Sequence, residues 1–169
     1  MTKTSLAANS NSILSPKLQA VSDYFIALSN ETHNGITNLK LQKLVYYVQA
    51  WHLAAFGDPV FEEDFQAWVH GPVVPSLYHR YKSATYKPLI EDKEKFSVLE
   101  SRLPGNLKLI LDDVVEEYFG KTAYELERLT HSEDPWINAR GNLSEDSPSS
   151  NIIGKDGMGA YYRPMLLVQ

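Results

Sequence analysis

The chain has 169 residues, no cysteine, 43% hydrophobic and 22% charged residues, and a formal net charge of −5. That length suits one domain whose core needs no staples, and the missing cysteine excludes disulfides, thiolate metal sites and cysteine nucleophiles and fits a reducing compartment. The acidic balance argues against binding to a phosphate backbone, which relies on clustered Lys and Arg.

Residues 1–14 are polar apart from Leu6, Ile13 and Leu14, and no apolar leader follows Met1. They are read as a flexible arm, and residues 15–169 as the domain of a cytoplasmic protein. Ser15-Pro16 has the order of an N-cap followed by a first-turn proline. Leu18, Val21, Phe25 and Leu28 at 3-4-3 spacing then predict a helix ending near Asn30. Thr37 is placed to cap the next helix, which Gly57 stops. That helix, about 37–56, has one apolar stripe of Leu41, Leu44, Val45, Val48, Trp51 and Ala55 and an opposite one of Leu39, Tyr46, Ala50 and Leu53. A helix apolar on two sides is covered on two sides, so it is predicted to be central. The longest apolar run, 44–56, contains Gln49 and His52 and is too short to span a bilayer.

Asp58-Pro59 opens a different texture. Val60-Phe61, the acidic Glu62-Glu63-Asp64 and residues 65–69 predict a short hairpin, with Phe65, Ala67 and Val69 alternating against Gln66, Trp68 and His70. Gly71-Pro72 is read as the end of that strand, and Pro75 as the start of a short helix carrying Leu77, Tyr78 and Tyr81. Residues 88–90 and 96–99 are compatible with brief strands or irregular chain. Leu107, Ile110, Leu111, Val114 and Tyr118 predict an amphipathic helix stopping at Gly120. Thr122 and Glu125 have the capping-box spacing. Asp134 is read as the cap of a last short helix from Trp136 to Arg140, residues 142–151 as a loop, and 161–168 as a terminal strand. The expected class is α+β, a mainly helical single domain around the 37–56 helix with a small β-hairpin or sheet.

None of His33, His52, His70, His79 and His131 forms a local zinc spacing, so no metal or other cofactor is expected. His52 falls on the apolar side of the central helix and reads as a core histidine. His131 and Asp134 can be drawn as a general base and its orienter. With His70 they define the enzymatic alternative, a small hydrolase. The favoured reading makes Asp134 a helix cap and His131 a helix end near the negative pole of its dipole. Glu62-Glu63-Asp64 lacks the order of a calcium loop, and residues 154–159, though glycine-rich, lack the P-loop pattern. The patch His79-Arg80-Tyr81-Lys82 with Lys87 supports a DNA-binding regulator as a third possibility, against which the net charge and a solvated helix end weigh more. Ten Tyr, six Phe and three Trp remain. The corner Ala67-Trp68-Val69-His70-Gly71-Pro72-Val73-Val74-Pro75 joins rigid prolines to aromatics, and alternation sets Trp68 and His70 on the face opposite Phe65, Ala67 and Val69.

Three ordered motifs add up to a resemblance. They are Ile36-Thr37-Asn38-Leu39-Lys40-Leu41-Gln42-Lys43-Leu44-Val45-Tyr46-Tyr47, then Ala67-Trp68 with Gly71-Pro72-Val73-Val74-Pro75 and Tyr78, then Leu129-Thr130-His131 with Pro135-Trp136. Across residues 16–141 the chain resembles the Panacea domain family, also described as SocA-like or phage-associated GepA-like. The resemblance implies a bacterial or prophage-encoded antitoxin, not an enzyme, that neutralises a cognate protein toxin by direct contact. Some relatives carry an added DNA-binding domain, for which the short polar arm leaves no room. Leu39, Leu41, Gln42, Lys43, Leu44, Tyr46, His131, Asp134, Pro135 and Trp136 carry over as family landmarks, expected to be structural. The resemblance does not say whether the corner touches toxin or only builds the fold. By the alternation argument Trp68, His70, Pro72, Val73, Pro75 and Tyr78 are the expected partner surface, and the competing reading has a helix or the 161–168 segment covering Trp68. The acidic Glu62-Glu63-Asp64 and Glu91-Asp92-Lys93-Glu94 are candidate patches for a basic toxin. Neither a membrane nor a nucleic acid is an expected partner, and the oligomeric state stays open.

Overall fold

The computed structural model describes residues 13–84, 86–89 and 94–166. Most of the predicted arm and residues 91–93 of the second acidic segment lie outside them. Leu14, assigned to that arm, is buried against the core.

Helix α1 (Pro16–Glu31) starts where Ser15 accepts from the Leu18 amide. Glu63 then takes both the Ser15 amide, at 2.8 Å, and its hydroxyl, at 2.9 Å. Asp64 pairs with Lys155 at 2.6 Å. Two acids of the first candidate patch are thus occupied inside the fold. Helix α2 (Asn38–Phe56) is capped by Thr37 and stopped by Gly57, as its sequence predicts. It is the central element: α1, α3, α5, α6, α8 and strand β2 all pack on it. Burial extends beyond its apolar stripes to Asn38, Lys40, Gln42, Lys43, Gln49 and His52. A buried polar group needs a partner, and each of these finds one in another segment or in a neighbouring turn.

Gln49 explains the first correction. Its side chain accepts from the Val60 amide and donates to the Phe61 carbonyl, both at 2.8 Å. That satisfies the 60–61 backbone without a strand. The hairpin instead joins β1 (Phe65–Trp68) to β2 (Gly71–Val73), antiparallel, with Gln66 opposite Val73, Ala67 opposite Pro72 and Trp68 opposite Gly71. Gly71-Pro72 therefore opens a strand and does not end one. Proline is tolerated because β2 is an edge strand. Strand β3 (Ile152–Ile153) pairs with the other side of β1, giving the order β2-β1-β3.

Helix α3 (Pro75–Arg80) follows as expected. Residues 96–101, compatible with a strand by sequence, form α4 (Phe96–Ser101), whose Phe96 meets Tyr24 of α1 at 4.9 Å. Helix α5 (Gly105–Val114) passes into a π-helical turn, Val115–Phe119, before Gly120. Helix α6 (Ala123–His131) opens on the predicted capping box, Thr122 and Glu125 bonding each other's amides at 3.1 and 2.7 Å. Helix α7 (Asp134–Arg140) begins two residues earlier than expected, and its cap moves by one. Glu133, not Asp134, holds the cap position. Asp134 is the exposed first helical residue, where its charge still suits the dipole.

The largest correction is at the C-terminus. The expected strand at 161–168 lies in helix α8 (Lys155–Leu166), to the extent that the residues are described, despite Gly157, Gly159 and Pro164 inside it. It packs along α2, burying Met158, Gly159 and Tyr162, and tertiary packing overrides its poor propensity. The whole is a mainly helical α+β fold. Among the described residues no helix is long and apolar enough to cross a membrane.

Candidate functional site

The three motifs, far apart in sequence, meet at the β1–β2 corner. From α2, Asn38 donates to the Tyr78 carbonyl at 3.0 Å, and Lys43 Nζ donates to the Pro72 carbonyl at 3.0 Å. Gln42 accepts from the Val74 amide at 3.1 Å and donates to Asn38. From α7, Trp136 Nε1 donates to the Trp68 carbonyl at 2.9 Å, and Arg140 Nη1 to the Ala67 carbonyl at 2.8 Å. Five side chains thus hold the backbone of residues 67–78 from beneath. Gly71 has φ 98°, and a Cβ there would lie 2.7 Å from Lys43 Cε and 2.9 Å from Thr130 Oγ1. Only glycine lets the corner pass this close over the lysine.

Lys43 is 1% exposed. Burial pushes its amine down from the usual lysine range to about 7, with Glu127 working the other way. The charged form is disfavoured because removing an ammonium from water costs more than one carbonyl returns. Lys40 repeats the theme, its Nζ donating to the Phe119 carbonyl at 2.6 Å, and burial lowers its pKa as well.

Above this scaffold is an apolar groove of about 490 Å³. Gln66, Trp68, Val69, His70, Val73 and Tyr78 line it from the corner, joined by Leu39, Tyr86 and residues 148–150. Trp68 is half-buried, its ring 5.0 Å from Tyr78 and its Nε1 held by Gln66 at 2.8 Å. Tyr86 is 80% exposed. His70 is exposed, 3.3 Å from the Glu127 carboxylate. The outward placement of Trp68 and His70 follows from alternation, with Phe65 and Ala67 buried opposite; Val69 is only half-buried because it lies in the two-residue loop. Of the other residues expected on this surface, Pro72 and Val73 are buried and Pro75 is half-buried. Pro72 therefore supports the corner and Val73 forms part of the groove's floor.

Sequence reasoning missed the far wall of the groove and what holds it. Arg140 Nη2 donates to the carbonyls of Ser144, at 2.7 Å, and Ser147, at 2.6 Å, while its guanidinium lies 4.8 Å from the Trp136 ring. One buried arginine thus ties the 144–147 turn to β1, which sets Pro148 beside Trp68. The only sequence signal is an arginine in the last turn of a helix, a common solvated position.

His131 and Asp134 do not form the base-and-orienter pair proposed for a hydrolase, although Glu127 acts on both His70 and His131. The His131 ring stacks on Trp136 at 3.9 Å and 14°, and burial lowers its pKa, against Glu127 and the Val69 backbone. Asp134 faces outward beside Tyr161, and no hydrogen bond or ion pair joins it to His131. His70 belongs to the groove. Among the described residues no cluster of His, Asp or Glu is arranged to hold a metal ion. A buried acid does exist elsewhere. Glu133 accepts from Tyr47 at 3.2 Å and from Tyr162, and Tyr162 contacts Tyr46 at 3.3 Å. Burial raises Glu133 from the usual carboxylate range to about 7, the two tyrosines working against it.

Residues 41–137 match the family model described as "Antitoxin SocA-like, Panacea domain". That span is more than half of the chain. The chain belongs to this family. Its SocA-like span runs from the first turn of α2 into α7, so it contains the tethered corner and leaves α1 and α8 outside. Antitoxin SocA of Caulobacter vibrioides (strain NA1000 / CB15N) is similar, 36% identical over 64 residues, covering 38% of this chain and 34% of that protein. The alignment thus spans about a third of that relative's length. No solved structure matches this SocA-like chain.

Proposed function

We propose that this protein is an antitoxin that neutralises a cognate protein toxin by direct binding, with the Trp68 groove as part of the binding face. The observation that carries the reading is the tethered corner. Asn38, Gln42, Lys43, Trp136 and Arg140 spend their polar groups on the backbone of 67–78, while Trp68, His70 and Tyr78 of that same corner stay partly or fully exposed. A rigid aromatic surface loses little entropy on binding, and Trp and Tyr are the residues that dominate interface hot spots. Family membership supplies the antitoxin role; the geometry supports this face over the acidic 62–64 segment, where Glu63 and Asp64 are already engaged.

The test co-expresses this chain with the product of the neighbouring open reading frame, the candidate toxin. Wild-type protein should relieve toxicity and co-purify with the toxin. Trp68→Ala should weaken the complex by about 2 kcal/mol or more, some thirtyfold in Kd, while the unfolding midpoint barely moves. Relief of toxicity with no complex at micromolar concentration would refute neutralisation by binding. Undiminished affinity in the variant would move the binding face elsewhere.

A further inference from the structure

A second groove lies toward the other end of α2, twelve residues or about 18 Å along the helix from Leu39 at about 1.5 Å per residue. It measures about 520 Å³ and is lined by Trp51, Ile110, Tyr118, Met165 and Leu166, with Asp113, Glu116 and Glu117 along one side. We propose that this groove docks a basic amphipathic helix of a partner protein, apolar face down and Lys or Arg toward the acidic side.

Three observations carry the assignment. The first is the floor. From Lys40 to Ala54 of α2, Trp51 alone is not fully buried. Its indole is fixed, Nε1 donating to Tyr118 Oη at 2.9 Å, and the Tyr118 ring stacks on Tyr47 at 3.9 Å and 5°. Met165 beside them is 39% exposed. Two anchored aromatics with an adaptable methionine form the kind of surface that accepts a helix's apolar face. The second is the backbone. Asp113, Glu116 and Glu117 flank the step from α5 into the π-helical turn, a feature that recurs at functional sites.

The third is charge. Carboxylates at i, i+3 and i+4 repel within a helix, and little among the described residues offsets them. Glu117 has Lys121 at 3.9 Å, a surface pair worth little. Asp113 and Glu116 have no ion pair among the described residues, and no Lys or Arg lines the groove. The missing cations are what a basic segment brings. The same acids exclude nucleic acid, and they would face each other if a second copy docked groove to groove. The proposal is independent of the Trp68 groove, and Met165 and Leu166 lie beyond the matched span 41–137.

The experiment uses the full chain and an 18-residue synthetic peptide with Leu and Lys at amphipathic helical spacing, and a Leu/Glu peptide of the same pattern for comparison. Binding is followed by calorimetry at 50 and 300 mM salt. One triple variant carries Asp113→Lys, Glu116→Lys and Glu117→Lys. A control carries the same charge change at Glu62, Glu145 and Asp146. All six positions are exposed, and unfolding curves verify that both variants fold. The basic peptide should bind saturably with one-to-one stoichiometry, more weakly at high salt, and the Leu/Glu peptide should not bind. The groove triple should lose at least tenfold in affinity and the control less than threefold. Met165→Lys should also lose about tenfold, while Trp68→Ala should bind as wild type. Equal losses in the two triples would reduce the effect to net charge and overturn the proposal. So would unsaturable binding, or a wild-type dimer dispersed by the groove triple.

Discussion

Arg140 is where residue chemistry bears most directly on the groove. Its fork reaches the Ala67 carbonyl with one nitrogen and those of Ser144 and Ser147 with the other. A lysine has the charge but not the fork, so it can serve one side at a time. Arg140→Lys should free the 144–150 segment from β1: amide exchange there should accelerate at least tenfold while α2 stays protected, as mass-spectrometric exchange at pH 7 can read. Unchanged exchange would mean that the turn holds itself. The tethering role of such residues was only half legible. Gln42, Lys43 and Trp136 stand out in the sequence because they recur in a family pattern, which identifies them without saying which way they point. Asn38, Gln42, Lys43 and Gln49 all face inward, whereas polar residues on a helix ordinarily face water. Glu133 was not legible because Asp-Pro is the commoner helix opening; the cap lies one residue earlier, and the glutamate turns to Tyr47 and Tyr162.

Elements were legible where local signals and packing agree. The caps of α1, α2 and α6 are side-chain hydrogen bonds written in a few adjacent residues, and they form as expected. Elements that depend on distant partners were not legible. Residues 60–61 lost a strand to Gln49, and α8 forms against α2 in spite of its glycines. Those glycines differ in role. A Cβ at Gly159 would meet Leu53 at 3.4 Å, at the helix-helix seam, whereas Gly157 faces open space. Gly157→Ala should therefore stabilise by about 0.5–1 kcal/mol through helix propensity. Gly159→Val should destabilise by about 1–3 kcal/mol through overpacking. Urea unfolding of both variants checks the pair. If both shift in the same direction, α8 does not dock on α2 through Gly159.

At the scale of the whole molecule, two buried groups of opposite type both titrate near neutrality in the folded state. Lys43 falls from 10.5 to about 7 and Glu133 rises from 4.5 to about 7, burial being the main cause of each. They act on stability with opposite signs. Between about 7 and 10.5 the unfolded chain keeps the Lys43 proton that the folded chain has lost, so raising the pH stabilises the fold. Between 4.5 and about 7 the folded chain keeps the Glu133 proton that the unfolded chain has lost, so stability present at 4.5 is lost as pH rises. Their two contributions together are smallest near neutrality, where most proteins are close to their stability maximum. Lys43→Met should remove the rise, its stability relative to wild type declining from pH 7 to 10. Glu133→Gln should remove the fall, its relative stability increasing from pH 4.5 to 7. His131, whose pKa is lowered by burial, opposes Glu133 below about 6.5. Glu133 is not among the groups that shift it, so it cancels in the Glu133→Gln difference, and the Lys43→Met comparison is made above the range in which it titrates. Urea midpoints at half-unit steps of pH give both curves. A flat difference for Lys43→Met would mean that the amine stays charged in the folded protein, and that Pro72 is held by an ammonium.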